Sequence, residues 1–245
     1  MSQQIEPREM LDKISIIIPT FNESKNLPIV VNRLLEISDE IAKELEIVIV
    51  DDNSPDGTGK AADLLAADHS NIRVIHRPRK MGVGSAVYEG IKAATAPHVV
   101  MMDADLHHRP EFVPSITKYL AEYEIVIASR FIEGSEMKAK SLGRRLVTKL
   151  GNALARGMLR LDVRDYTHGF RGYERSAFLK CYHPKDTGGE FNIRILIEAQ
   201  KRGYRTKEVP YHSEHEGRSK VSSWLSYLQL LIREPFCLLV ASFRY

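Results

Sequence analysis

A chain of 245 residues, 43% hydrophobic and 27% charged, has enough apolar material for one large domain with a proper core and carries no low-complexity tract. Its formal net charge of +3 excludes a whole-chain electrostatic nucleic-acid binder, so any basic function is local. Cys181 and Cys237 lack paired spacing, which argues against a zinc site or disulfide scaffold and for a reducing compartment.

In chain order, "MSQQIEPREMLDK" is polar and does not resemble a signal peptide. "ISIII" (14–18), "EIVIVD" (46–51), "IRVIH" (72–76), "HVVMMD" (98–103) and "EIVIAS" (124–129) are too short and too β-branched for helices and are expected as buried strands. Residues 27–41, 58–67 and 85–94 carry apolar side chains at helical spacing. The alternation predicts an α/β fold, Rossmann-like, with a mostly parallel sheet flanked by helices. The second half changes character. It offers a basic helical stretch at 142–159, the segment "DYTHGFRGY", a helix at 191–201, a strand in "RTKEVPY" and a polar loop. In the final stretch, 224–245, Arg233, Glu234 and Pro235 interrupt the apolar run. It therefore falls short of the roughly 18 to 20 residues a spanning helix needs. Two readings stay open for it, a core-docking helix and an amphipathic segment at a membrane interface. A truncated membrane anchor is a third.

In an open parallel sheet, ligands bind beyond the carboxyl ends of the strands. Pro19, Thr20, Phe21, Asn22 and Glu23 follow the first strand, Asp51, Asp52, Ser54 and Asp56 the second, and Asp103, Asp105 and His107 the fourth. Turn-making and helix capping suit Ser54, Pro55, Asp56 and Gly57. They do not account for Asp103 and Asp105. Two carboxylates spaced i, i+2 at the end of a buried strand repel each other and lose hydration unless positive charge joins them. A divalent cation on a nucleotide diphosphate supplies it, because Mg²⁺ takes one or two carboxylates and completes its shell with phosphate oxygens and water. His107 points the same way if the chain stays extended, and its imidazole would shift preference toward Mn²⁺, with His108 facing elsewhere.

The ordered series "SIIIPTFNE", "VIVDDNSPDGT", "KMGVGSAVYEGIKAA", "MMDADLHHRPE", "IASRF", "THGFRGY" and "VPY…GRSK" resembles the dolichol-phosphate mannosyltransferase branch of family 2 glycosyltransferases, from Ser15 to Lys220. The resemblance implies a GT-A catalytic domain over 1–220 with an amphipathic, membrane-interfacial segment over 221–245. It also implies a nucleotide-diphosphate sugar donor, Mg²⁺ or Mn²⁺, and inverting transfer onto a polyprenyl (dolichyl) phosphate at the cytoplasmic side of a membrane. A membrane-anchoring subunit is a further partner it allows, and nucleic acid is not one.

Carried over by residue, the resemblance places Pro19, Phe21, Glu23, Asp52, Ser54 and Asp103 at the nucleotide. Asp103, Asp105 and His107 fall at the metal, and Arg130, Arg144, Thr148, Arg218, Ser219 and Lys220 at the acceptor phosphate. Asp105, Arg130, Arg144 and Lys220 carry the chemistry. Phe21 replaces a common Tyr, His107 a Gln or Ser, and Thr148 a Ser. "SEHE" stands where relatives place an Arg before the loop glycine, so either Arg218 substitutes for it or the loop closes differently.

The chemistry of the residues agrees, since a lipid phosphate is already anionic and needs guanidinium groups to position it rather than a base. GDP-mannose is favoured by the resemblance, while UDP-glucose or UDP-N-acetylglucosamine, a hydroxyl acceptor, and a non-catalytic sugar-nucleotide-binding module are the alternatives. Three patterns are set aside. "GVGSAVYEG" lacks the context of a dinucleotide fingerprint, "HSEHE" lacks a zinc spacing, and "RPRK" (77–80) reads as a surface loop near phosphates. Glu190 in "GGEFN" reads as a helix-start acid or, for a hydroxyl acceptor, as a base.

Overall fold

Ile14, Ile16 and Ile18 pack on one side of strand β1 (Lys13–Thr20) and Ile17 on the other, and both sides are buried. Burial on two faces is why the strand runs apolar instead of alternating. The computed structural model describes residues 10–137 and 162–213. The expected basic helical stretch and the segment 221–245 lie outside them.

In chain order come β1, α1 (Leu27–Glu36), α2 (Ser38–Ile41), β2 (Glu44–Asp51), α3 (Thr58–Asp68), β3 (Ile72–His76), α4 (Val83–Ala93) and β4 (His98–Met101). A 3₁₀ turn (Pro110–Phe112), α5 (Val113–Leu120), β5 (Ile125–Ser129) and β6 (Glu136–Met137) follow. The second described stretch holds β7 (Arg171–Glu174), α6 (Arg175–Cys181), α7 (Phe191–Lys201), β8 (Thr206–Pro210) and β9 (His212–Ser213). Seven strands form one sheet ordered β3-β2-β1-β4-β7-β5-β8, in which β7 alone runs antiparallel to its neighbours, and β6 pairs with β9 separately.

One core joins α1, α3 and α5 to one face, and a second joins α4, α6 and α7 to the other. Helix α4 lies so close that a Cβ on Gly90 would sit 2.5 Å from Ile17 Cγ2. Three expectations need correction. The helix expected over 27–41 breaks at Ile37. The fourth strand ends at Met101 instead of Asp103, and β7 was not expected as a strand. A four-residue strand containing Arg171 and Gly172 has too little apolar pattern to announce itself.

Candidate active site

Parallel strands β1, β2, β4 and β5 end at one edge of the sheet, and antiparallel β7 begins there, so the chain leading into β7 arrives at the same place. Pro19 and Phe21 are half-buried at the end of β1, and Lys80 Nζ lies 4.2 Å above the Phe21 ring. Glu23 is buried, accepts a hydrogen bond from Asn26 Nδ2 at 2.8 Å, and donates its backbone N–H to Thr58 Oγ1. Ser54 and Asp56 stitch the first two loops together, accepting the backbone N–H groups of Asn22 and Ser24 at 3.0 and 3.1 Å. Partial burial opposes ionisation of Asp56, but hydrogen bonds from Thr58 and Ser24 outweigh it and lower its pKa to about 2.

Asp52 is buried, with Arg77 Nε 3.1 Å from Oδ1 and the Met81 N–H donated to Oδ2 at 3.1 Å. Arg77 is therefore not the surface residue that "RPRK" suggested. Its guanidinium is 1% exposed and also donates to Ser85 Oγ at 2.8 Å. The carboxylate of Asp52 thereby shapes the 77–82 loop beside Phe21.

After β4 the chain does not stay extended. Leu106 adopts φ 64° and folds 103–108 into a tight loop. His107 lands beside Asp105, Nδ1 to Oδ2 at 3.1 Å, and its N–H donates to Asp105 Oδ1. Burial would raise the Asp105 pKa, but the hydrogen bond and charge of His107, with His108 nearby, bring it to about 2. His107 is raised in turn, chiefly by the hydrogen bond to Asp105. Asp103 moves the other way, raised by desolvation and by repulsion from Asp105 and Glu23 against the pull of His108 and His107. His108 does not face elsewhere. It is buried, with Nε2 3.7 Å from Asp103 Oδ2.

Arg130, directly after β5, grips Asp165 with two hydrogen bonds and reaches Thr167 Oγ1 at 3.0 Å. Arg171 is fully buried and donates to the carbonyls of His168, Tyr166 and Asn192, all at 2.7 Å, which ties the lead-in of β7 to the start of α7. Asp165, His168 and Arg171 escaped the sequence reading, although "DYTHGFRGY" holds all three. The missing signal was strand direction, which decides whether a loop before or after the strand reaches the site. Glu190 precedes α7 and accepts the Gly188 N–H at 2.8 Å. Arg144, Thr148, Arg218, Ser219 and Lys220 lie outside the described residues.

Two carboxylates with an imidazole make a donor set that fits Mg²⁺ or Mn²⁺. Among the described residues no group of three or more His, Cys, Asp or Glu side chains is placed to hold a metal ion by itself. One or two carboxylates are what Mg²⁺ usually takes from a protein when substrate phosphates and water supply the rest, and Asp103 and Asp105 suit that partial role.

A family model described as "Glycosyl transferase family 2" matches residues 15–181. This chain belongs to family 2 of the glycosyltransferases. Among its family 2 relatives, the undecaprenyl-phosphate mannosyltransferase of Micrococcus luteus is 33% identical over 219 residues, covering 86% of this chain and 88% of that protein. The polyprenol monophosphomannose synthase of Mycolicibacterium smegmatis is 35% identical over 216 residues, covering 84% and 80%. Glucosyl-3-phosphoglycerate synthase from Mycobacterium tuberculosis, solved with Mn²⁺ and UDP, superposes with a TM-score of 0.70 at 21% identity over 94% of this chain and 79% of that one. This family 2 member thus has the GT-A fold and is an enzyme.

Proposed function

We propose that the enzyme transfers mannose from GDP-mannose to a polyprenyl or dolichyl phosphate with inversion at C1. What carries the reading is the match along nearly the whole chain to two polyprenyl-phosphate mannosyltransferases. The site supports it with an acidic loop, Asp103 to His107, and a buried-carboxylate-anchored guanidinium, Arg130, that both border Tyr211.

In this reading Pro19, Phe21 and Glu23 line the nucleoside pocket, while Asp52 and Ser54 hold its loops. Asp105, with Asp103 and His107 beside it, would hold a divalent cation, which when bound would offset charge on the departing diphosphate. A lipid-phosphate oxygen forms the new bond to C1 as the C1–O bond to the nucleotide diphosphate breaks, and the bonding pair leaves with the nucleotide. The acceptor is ionised beforehand, so no base takes a proton. Arg130 positions it, joined by Arg144, Thr148, Arg218, Ser219 and Lys220.

The acceptor's chain stays in the bilayer, so the cleft works against a membrane surface, the cytoplasmic one in this reading. Segment 221–245 or a membrane-anchoring subunit holds it there. No helix among the described residues is long and apolar enough to cross a membrane. A donor panel of GDP-mannose, UDP-glucose and UDP-N-acetylglucosamine, with Mn²⁺ or Mg²⁺ and a short polyprenyl phosphate, tests the proposal. Lipid-linked mannose from GDP-mannose alone is expected, and product from a UDP-sugar alone would overturn the donor assignment.

A further inference from the structure

The loop 103–108 is held at both ends by groups that the transfer reaction does not use. At its start, the Asp103 backbone N–H donates to His108 Nδ1 at 2.8 Å. That bond requires a lone pair on Nδ1, so the ring proton sits on Nε2, toward Asp103. The imidazole cannot swing away, because it stacks on Phe170 with centroids 4.9 Å apart and meets the edge of His168 at 4.9 Å. At the other end, the Tyr211 hydroxyl donates to the His107 carbonyl and accepts the Arg109 N–H at 3.2 Å. Tyr211 is fully buried, packs against Phe170 and His168, and donates its own N–H to the Ser129 carbonyl, next to Arg130. Between these two holds, Leu106 keeps its left-handed backbone, which a residue other than glycine adopts only where its surroundings impose it.

We propose that His108 and Tyr211 are positioning residues that clamp the Asp103–His108 loop, before any ligand arrives, in the shape that receives a metal–nucleoside diphosphate. The proposal rests on the metal reading of this loop given above. Without the clamp the loop must be ordered by the ligand itself, and part of the binding free energy is lost to that ordering. Through the Tyr211 N–H, the same clamp fixes the loop relative to the strand end that carries Arg130.

The test is calorimetric titration of the full chain with GDP, and in parallel UDP, with and without Mn²⁺. Tyr211→Phe keeps the ring and removes both hydroxyl contacts. His108→Gln removes the acceptor beside Asp103, whereas His108→Asn places an oxygen close to where Nδ1 stands. Tyr211→Phe and His108→Gln are expected to weaken Mn²⁺-dependent nucleotide binding about tenfold each. His108→Asn should stay within about threefold of wild type, and metal-free nucleotide binding should be unchanged in all three. Wild-type affinity in Tyr211→Phe and His108→Gln overturns the clamp. So does an equal loss with and without metal, which would mark both residues as merely structural. A wild-type protein whose nucleotide binding ignores Mn²⁺ overturns the metal reading itself, and the clamp with it.

Discussion

Arg130 and Asp165 meet as a two-pronged ion pair, Nε to Oδ2 at 2.7 Å and Nη2 to Oδ1 at 2.8 Å, with Asp165 fully buried. Asp165 also accepts the Arg130 and His168 backbone N–H groups at 3.1 Å each. Burial pushes against its ionisation, yet the guanidinium and these donors hold its pKa far below the usual carboxylate range.

Weakening this anchor should therefore be felt at the acceptor. Asp165→Asn keeps the shape and removes the charge, and a charge-assisted hydrogen bond contributes about 1.5 to 3 kcal/mol. Steady-state kinetics with each substrate varied in turn should show KM for polyprenyl phosphate rising at least about tenfold. KM for the donor should stay constant, and a rise confined to the donor would reject the assignment.

The nature of the acceptor separates two variants. Arg130→Ala should lose roughly tenfold to a hundredfold in turnover while still binding donor nucleotide, and Glu190→Gln should remain substantially active because its carboxylate folds back on Gly188. An inactive Glu190→Gln beside a healthy Arg130→Ala, with a free alcohol accepted, would identify a hydroxyl acceptor.

For the cation, Asp105→Ala should abolish turnover and cation-dependent nucleotide binding and leave the melting temperature close to wild type. Full activity in EDTA would contradict this.

His168 makes stability depend on pH. Burial, then the nearby Arg130 and His108, drive its pKa well below the ordinary value, outweighing Asp165 and the Ala128 carbonyl that its Nδ1 meets. The folded state keeps it neutral, whereas the unfolded chain protonates below about pH 6.5. Stability is thus complete above that pH and falls as pH drops, by up to ~1.4 kcal/mol per unit for this proton. His98, also lowered by burial, adds to the slope. Melting temperatures from pH 7.5 to 5.5 should decline in wild type and decline less steeply in His168→Asn. Parallel slopes would exclude His168 as the cause.

Much of this was legible because doubly buried strands leave a plain mark. Ile14 to Ile18 and Glu46 to Asp51 declare both a parallel sheet and the edge where its loops collect, and with them Asp103, Asp105 and Glu23. Arg77 was misread because adjacent charges resemble a solvated run, and only the fold brings Asp52 within 3.1 Å of its guanidinium. His108 was misplaced because the reading carried strand geometry past Met101, where Leu106 reverses the chain. Asp165 depends on a contact 35 residues away in sequence, and no local pattern encodes that.

Strand β7 also works as a depth gauge. Its pairing with β4 on one side and β5 on the other sets how far its lead-in reaches over the sheet edge. A two-residue slide would shift Asp165 and His168 by about 7 Å, and a single-residue slip would turn Arg171 to the opposite face. Gly172 resists both, since a Cβ there would come 2.5 Å from Ile116 Cγ2, so only one alignment brings the bare backbone against α5. The placing of Asp165, and with it the hold on Arg130, is thereby measured out by hydrogen-bond pairing in the middle of the sheet.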